Sequence, residues 1–188
     1  MISVEEIKKE NLRTGYTTGT SATAAAKAGL LSIINQSKIK SVDVKLPKGS
    51  FIKIQIYQCQ FDKNKSTCSV IKDGGDDPDV THGAEIVVEL SLTEKFNDID
   101  IDGGNGVGIV TKPGLGLELN KAAINPVPKK MIKENLKEIL DKHHLKTGVK
   151  VIISVPKGQE LGPKTDNPRI GIINGISILG TSGIVIPF

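Results

Sequence analysis

Residues 71–83 read IKDGGDDPDVTHG, and this run decides how the chain around it can fold. Gly74 and Gly75 bring backbone freedom that neither helix nor strand needs. Pro78 fixes its own φ, lacks a donor and pushes Asp77 towards an extended conformation. The run is therefore a loop. Strand-like runs flank it at residues 68–72 and 84–92, so Asp73, Asp76, Asp77, Asp79 and His82 are presented between two elements able to hold them still. A single aspartate in such a loop more often caps its own backbone in an Asx-turn. Four of them beside a histidine make a candidate site.

Working outward, residues 42–46, 51–57 and 68–72 alternate β-branched and polar positions, and Pro47-Lys48-Gly49-Ser50 between the first two reads as a tight turn. This pattern predicts antiparallel strands. Residues 62–66 read as a polar loop, residues 85–92 as a further strand and residues 97–101 as a short one. Residues 102–108, DGGNGVG, carry a glycine spacing like a dinucleotide fingerprint, but residues 110–114 continue as strand and turn rather than as a helix. A glycine-rich hairpin is the expected structure there. At Gly103 and Gly104 no side chain would stand between the backbone and a flat ligand.

Residues 12–31, LRTGYTTGTSATAAAKAGLL, place a hydroxyl-rich loop ahead of an alanine-rich helix former. The helix is expected to start near Thr20 or Ser21. Two readings of its start are open: a plain N-cap, or a carboxylate or phosphate site built from first-turn amides, Thr17, Thr18, Thr20, Ser21 and Arg13. The alanines imply close packing against a sheet. A second helix is predicted over residues 131–144, where Met131, Ile132, Leu136, Ile139 and Leu140 fall at helical spacing and His143 and His144 sit at the C-terminal end. Residues 149–155 form a last strand. Residues 162–188 are glycine-rich and apolar, with isoleucines that need burial. The sum is a single α+β domain over residues 1–188, mostly antiparallel, with two main helices.

Composition narrows the partners. With 38% apolar and 24% charged residues among 188, the chain has the makeup of an ordered globular domain. No apolar run reaches a membrane span, and the first ten residues lack a signal-peptide core, which predicts a cytoplasmic protein without a membrane partner. A net charge of +4 with only 3% aromatic residues and no tryptophan argues against nucleic acid and leaves room for a small polyanion. Cys59 and Cys68 match no zinc spacing and read as packing thiols.

The strings GYTTGTSATAAAKAG, VIKDGGDDPDVTHGAEI, IDGGNGVGIVTKPGL, AINPVPKKMI and NPRIGIINGISILGTSGIV, in that order, resemble the successive motifs of the cobalt-precorrin-5B C1-methyltransferase family. The resemblance covers most of the chain. It implies methyl transfer from S-adenosylmethionine to C1 of a cobalt-containing tetrapyrrole in anaerobic cobalamin biosynthesis, with cobalt carried by the substrate and no metal held by the protein. It also implies a fold resembling a permuted ribosomal-protein-S5 domain two, followed in the family by a second α/β domain. By that reading these residues are the N-terminal, tetrapyrrole-side domain, catalytically silent alone. An apolar face at Ile172, Ile176, Ile178, Leu179 and Ile184 would dock the missing domain or self-associate into a homo-oligomer. The substrate carboxylates would be held by Arg13, Lys72, Lys112, Arg169 and the helix start from Thr17 to Ser21. Asp73, Asp79, Gly103 and Gly104 would complete the substrate side, and Asp76, Asp77 and His82 the chemical side. Family members commonly carry cysteine where this chain has Ser21.

Two other classes fit the residues. One is a metal-dependent phosphotransfer or hydrolase domain whose four loop aspartates hold magnesium or calcium. The other is a non-catalytic tetrapyrrole-binding module.

Overall fold

The computed structural model describes residues 12–188. In chain order the elements are β1 (Gly15–Tyr16), α1 (Thr18–Asn35), β2 (Ser41–Lys45), β3 (Phe51–Gln55), β4 (Gln58–Phe61), β5 (Lys65–Ile71), β6 (Glu85–Thr93), β7 (Ile99–Gly103) and β8 (Ile109–Val110). They continue with α2 (Pro126–Lys142), β9 (Gly148–Ser154), the short helices α3 (Gly158–Leu161) and α4 (Asn167–Ile170), β10 (Ile172–Ile173) and β11 (Ile184–Val185).

One five-stranded sheet runs β4-β5-β6-β9-β7, antiparallel except for the parallel pair β7 and β9. The alternation of its strands sets one buried face: Cys68 and Val70, Ile86, Val88 and Leu90, and Val149, Val151 and Ile153 are all in the core, while Glu89 and Lys150 are exposed. That is the pattern of a sheet covered on one side. Helix α1 supplies the cover, and its alanines explain how closely. Ala22, Ala24, Ala25, Ala26 and Ala28 are fully buried, and a methyl added at Gly29 would meet Ser66 Oγ at 2.6 Å and Leu90 Cβ at 3.5 Å. Because sheet, α2 and the β2–β3 ladder surround it, α1 is buried on nearly every side and needs no polar stripe.

Helix α2 is amphipathic in the predicted register, with Met131, Ile132, Leu136, Ile139 and Leu140 inward. One polar residue joins them. Asn135 accepts from the Lys45 amide at 3.0 Å and donates to the Lys45 carbonyl at 3.1 Å and the Met131 carbonyl at 2.8 Å. It therefore pairs both backbone groups at the end of β2. Asn135→Ala is expected to cost about 2 kcal/mol, since those groups lose their partner in a buried place. Urea unfolding would show it as a lower midpoint with an unchanged m-value.

Three expectations are corrected. The predicted strand over residues 51–57 ends at Gln55, and a separate strand, β4, joins a different sheet; β5 begins at Lys65, so the 62–66 loop shrinks to a turn in which Asp62 Oδ1 accepts from the Asn64 and Lys65 amides. The glycine run at residues 102–108 is not a hairpin: β7 pairs with β9, whereas β8 pairs with β10. Its glycines pack against the chain's own side chains and backbone. Gly104 donates to the Ile153 carbonyl at 2.7 Å, a methyl at Gly103 would strike Ala122 at 2.6 Å, and Gly106 is crossed by Gly158 and Gly175. Third, the expected exposed face is largely core. Ile172, Ile176 and Ile178 are buried, leaving Leu179 exposed and Ile184 half-buried. Among the described residues no helix is long and apolar enough to cross a membrane.

Candidate functional site

The acidic loop divides into two halves with different partners. In the first half, the segment entering β1 crosses the loop and is tied to it. Arg13 grips both carboxylate oxygens of Asp73 (2.5 and 3.0 Å), the Arg13 amide donates to Asp76 Oδ2 at 2.7 Å, the Asp76 amide returns to the Arg13 carbonyl at 2.9 Å, and the Tyr16 amide donates to the Asp73 carbonyl at 2.7 Å. The crossing leaves no room for a side chain: a methyl on Gly15 would overlap Gly74, and one on Gly75 would overlap the Arg13 carbonyl. Arg13 and the Gly75 amide together hold the Asp73 carboxyl below the usual carboxylate range. His82 Nδ1 accepts from the Gly74 amide at 3.0 Å and lies 3.8 Å from Asp73 Oδ1.

In the second half, Lys72 and Asp79 turn inward. The Lys72 side chain is 1% exposed and its ammonium lies 2.5 Å from Asp79 Oδ2, while the Asp79 side chain is 24% exposed. Asp79 Oδ1 accepts from both the amide and the hydroxyl of Thr81 at 2.7 Å. Burial pushes the Asp79 carboxyl up, but the bonds from Lys72 and Thr81 outweigh it and leave the carboxyl below its ordinary value. A carboxylate depressed in the folded state contributes stability that is complete above the unfolded value, about 3.9, and is lost as pH falls through the folded one. Asp73 and Asp79 both act this way. The thermal midpoint is expected to fall steeply below about pH 4, and to fall less steeply in Asp79→Asn, as scanning calorimetry across that range would show.

Helix α1 starts at Thr18, before the expected Thr20 or Ser21, with Thr17 as N-cap accepting from the Thr20 amide at 3.1 Å. The hydroxyls expected to hold an anion are largely engaged by the chain's own C-terminal strap. Thr20 donates to the Gly183 carbonyl at 2.7 Å, Ser21 to the Thr17 carbonyl at 3.1 Å, and Thr18 lies between the Ser177 and Leu179 carbonyls while accepting from the Leu179 amide at 2.8 Å. The Gly19 amide also donates to Leu179, at 2.8 Å. Of the four residues, Thr17 and Thr18 still line a cavity; Thr20 and Ser21 are interior.

That cavity is a cleft of about 690 Å³ between the inner half of the acidic loop, the starts of α1 and α2, residues 115–117 and the strap. Its walls are mostly apolar, including Leu115, Leu117, Ile170, Ile172 and Leu179, with Lys72, Asp79 and Thr81 as a buried polar corner. Its size and make-up are those of a small-molecule site. Asp73, Asp76, Asp77, His82, Arg13, Gly103, Gly104, Lys112 and Arg169 are outside its lining. Arg169 is exposed and 3.2 Å from Asp166, and Lys112 is exposed against Gly171. The loop aspartates diverge to separate partners, and among the described residues no three His, Cys, Asp or Glu side chains gather as metal ligands. Asn125, Thr81 and Asn167 line the cleft without having been singled out from sequence. Asp79-Val80-Thr81 carries the Asx-turn spacing that could have revealed Thr81.

The α+β domain thus carries one mostly apolar cleft with the Lys72–Asp79 ion pair in its wall. Residues 5–187 match the family model CbiD. The chain is 50% identical over 187 residues to the cobalt-precorrin-5B C(1)-methyltransferase of Priestia megaterium, covering 98% of this chain and 51% of that protein. It is 49% identical over 176 residues to the protein of the same name from Picrophilus torridus, covering 94% and 51%. The crystal structure of the cobalamin biosynthesis protein (cbiD) from Archaeoglobus fulgidus superposes with a TM-score of 0.69 at 35% identity, covering 94% of this chain and 55% of that one. The chain belongs to the CbiD family. It spans about half the length of the curated relatives it matches.

Proposed function

We propose that this chain takes part in methylation of C1 of cobalt-precorrin-5B by S-adenosylmethionine, giving cobalt-precorrin-6A. The observation that carries the reading is the agreement of near-complete, 50% identical coverage by a C(1)-methyltransferase with a cleft of about 690 Å³ of the right chemistry. The apolar walls suit a flat ring system, that of the acceptor or of the donor. Thr17 and Asn125, the residues before α1 and α2, both line the cleft, so the positive ends of two helices face a ligand rimmed with carboxylates. The methyl donor supplies an activated carbon, and the protein's task is to align it with the acceptor and exclude water, which can be worth about 7–11 kcal/mol. Asp76, Asp77 and His82 lie outside the cleft lining, so any chemical role for them requires a ligand that reaches past it to the Arg13–Asp73 contact.

The parallel β7–β9 pair within an otherwise antiparallel sheet supports reading the fold as a permuted ribosomal-protein-S5 domain two. The test of function is an assay of cobalt-precorrin-5B with S-adenosylmethionine, run on these 188 residues and on the full-length Priestia megaterium relative, beside an absorbance titration of the 188-residue chain with a cobalt corrinoid. Turnover by the relative and corrinoid binding with little or no turnover by this chain are expected. No spectral change on mixing and no turnover by either protein would remove the proposal.

A further inference from the structure

The Lys72 ammonium has three N–H donors, and among the described residues only Asp79 Oδ2 accepts from it. Lys72 is nonetheless fully buried, at 1% exposure, and lines the cleft. A buried donor without an acceptor is costly, so two such donors at a cavity wall point to a ligand atom. Asp79 adds the other half of the pattern. Its Oδ1 is filled by the two Thr81 bonds, and its Oδ2, which takes only Lys72, keeps room to accept one more. The corner therefore offers two donors and one acceptor, held rigid from behind by Thr81.

A ligand carboxylate is poorly matched here. It can only accept, it would stand beside Asp79, and it would leave the buried corner with a net negative charge. An uncharged group that both donates and accepts fits both needs. We propose that the Lys72–Asp79 corner binds the vicinal diol of a ribose, one hydroxyl donating to Asp79 Oδ2 and both accepting from Lys72, with the attached purine against Leu115, Leu117 and Ile170. This rests on the methyl-transfer reading and assigns the adenosyl part of the donor to this chain. Lys72 and Asp79 are the contacting residues; Thr81 is a positioning residue.

The experiment is calorimetric titration of the 188-residue chain with S-adenosylhomocysteine and with its 2′,3′-dideoxy analogue. Binding of the first, and binding of the second weaker by roughly 10- to 100-fold, as befits lost hydrogen bonds to charged groups, is expected. Lys72→Met should narrow the difference between the two ligands to what the remaining hydroxyl bond to Asp79 gives, a result that mere loosening of the fold would not give. Equal affinity of the unaltered chain for both ligands overturns the assignment, as does no binding at millimolar concentration. If the cobalt corrinoid still binds in that case, only the ribose assignment falls; if it does not and neither protein turns over, the methyl-transfer reading falls with it.

Discussion

Gly106→Ala is expected to lower the free energy of unfolding by about 3–5 kcal/mol. Two costs coincide at this position. Its φ of +78° is in the left-handed region that alanine resists, and a methyl would overlap the Val155 carbonyl and press on Gly158 Cα at 3.1 Å. The neighbours cannot yield cheaply, because Gly158 and Gly175 are themselves packed against the Gly106 carbonyl and the Ile176 amide donates to that same carbonyl at 3.0 Å. A fall in thermal midpoint of roughly 6–20 °C should follow for a domain of this size. Gly114→Ala separates the two costs, since Gly114 has φ +99° and nothing within 4 Å of the added methyl. It should lose only about 1 kcal/mol. Equal effects at both positions would show that the chain crossing is loose.

Asp79→Asn is the second large effect, about 2–4 kcal/mol. Removing one member of a buried pair leaves its partner charged without compensation, at about 3–5 kcal/mol when both are enclosed; the 24% exposure of the Asp79 side chain lowers that range. The double replacement of Asp76 and Asp77 by asparagine makes the contrast, because Asp76 is exposed and, among the described residues, its side chain receives only the Arg13 amide. Its midpoint should move by a few degrees at most. Denaturant curves on both variants decide whether the loop's inner half carries the stability. If Asp79→Asn were as mild as the outer pair, the Lys72 charge would have to be solvated by some route other than its partner.

The strands and helices with clear periodicity were legible in advance. α2 and β9 were readable from residue spacing alone, and α1 from the alanines that let it lie close on the sheet. What could not be read was which loop meets which. The glycines of residues 102–108 announce close approach, but glycine cannot say whether a ligand or the chain itself approaches, and here it is the chain: the Ala122 and Ser154 side chains at Gly103 and Gly104, and the backbone of residues 155, 158 and 175 at Gly106 and Gly108. The hydroxyls of Thr18 and Thr20 announce a helix start, yet their acceptors are about 160 residues away. The loop itself was found, but its four aspartates read as one group. Only the fold separates Asp73, gripped by an arginine on the surface, from Asp79, which shares a cavity wall with a lysine.

The pairing of β1 with β11, Gly15 with Val185 and Tyr16 with Ile184, also bears on how this chain is made. On a ribosome the first segment emerges long before its partner, and at about 5–20 residues per second the start of α1 waits many seconds for the carbonyls of residues 177–183. Until then the alanine-rich helix can form only against whatever sheet has emerged, and its N-terminal end stays open to solvent. Completion of the cleft therefore waits until residues 177–185 have emerged. A nascent chain halted before residue 177 should remain sensitive to protease at residues 12–20, and one released after residue 185 should not.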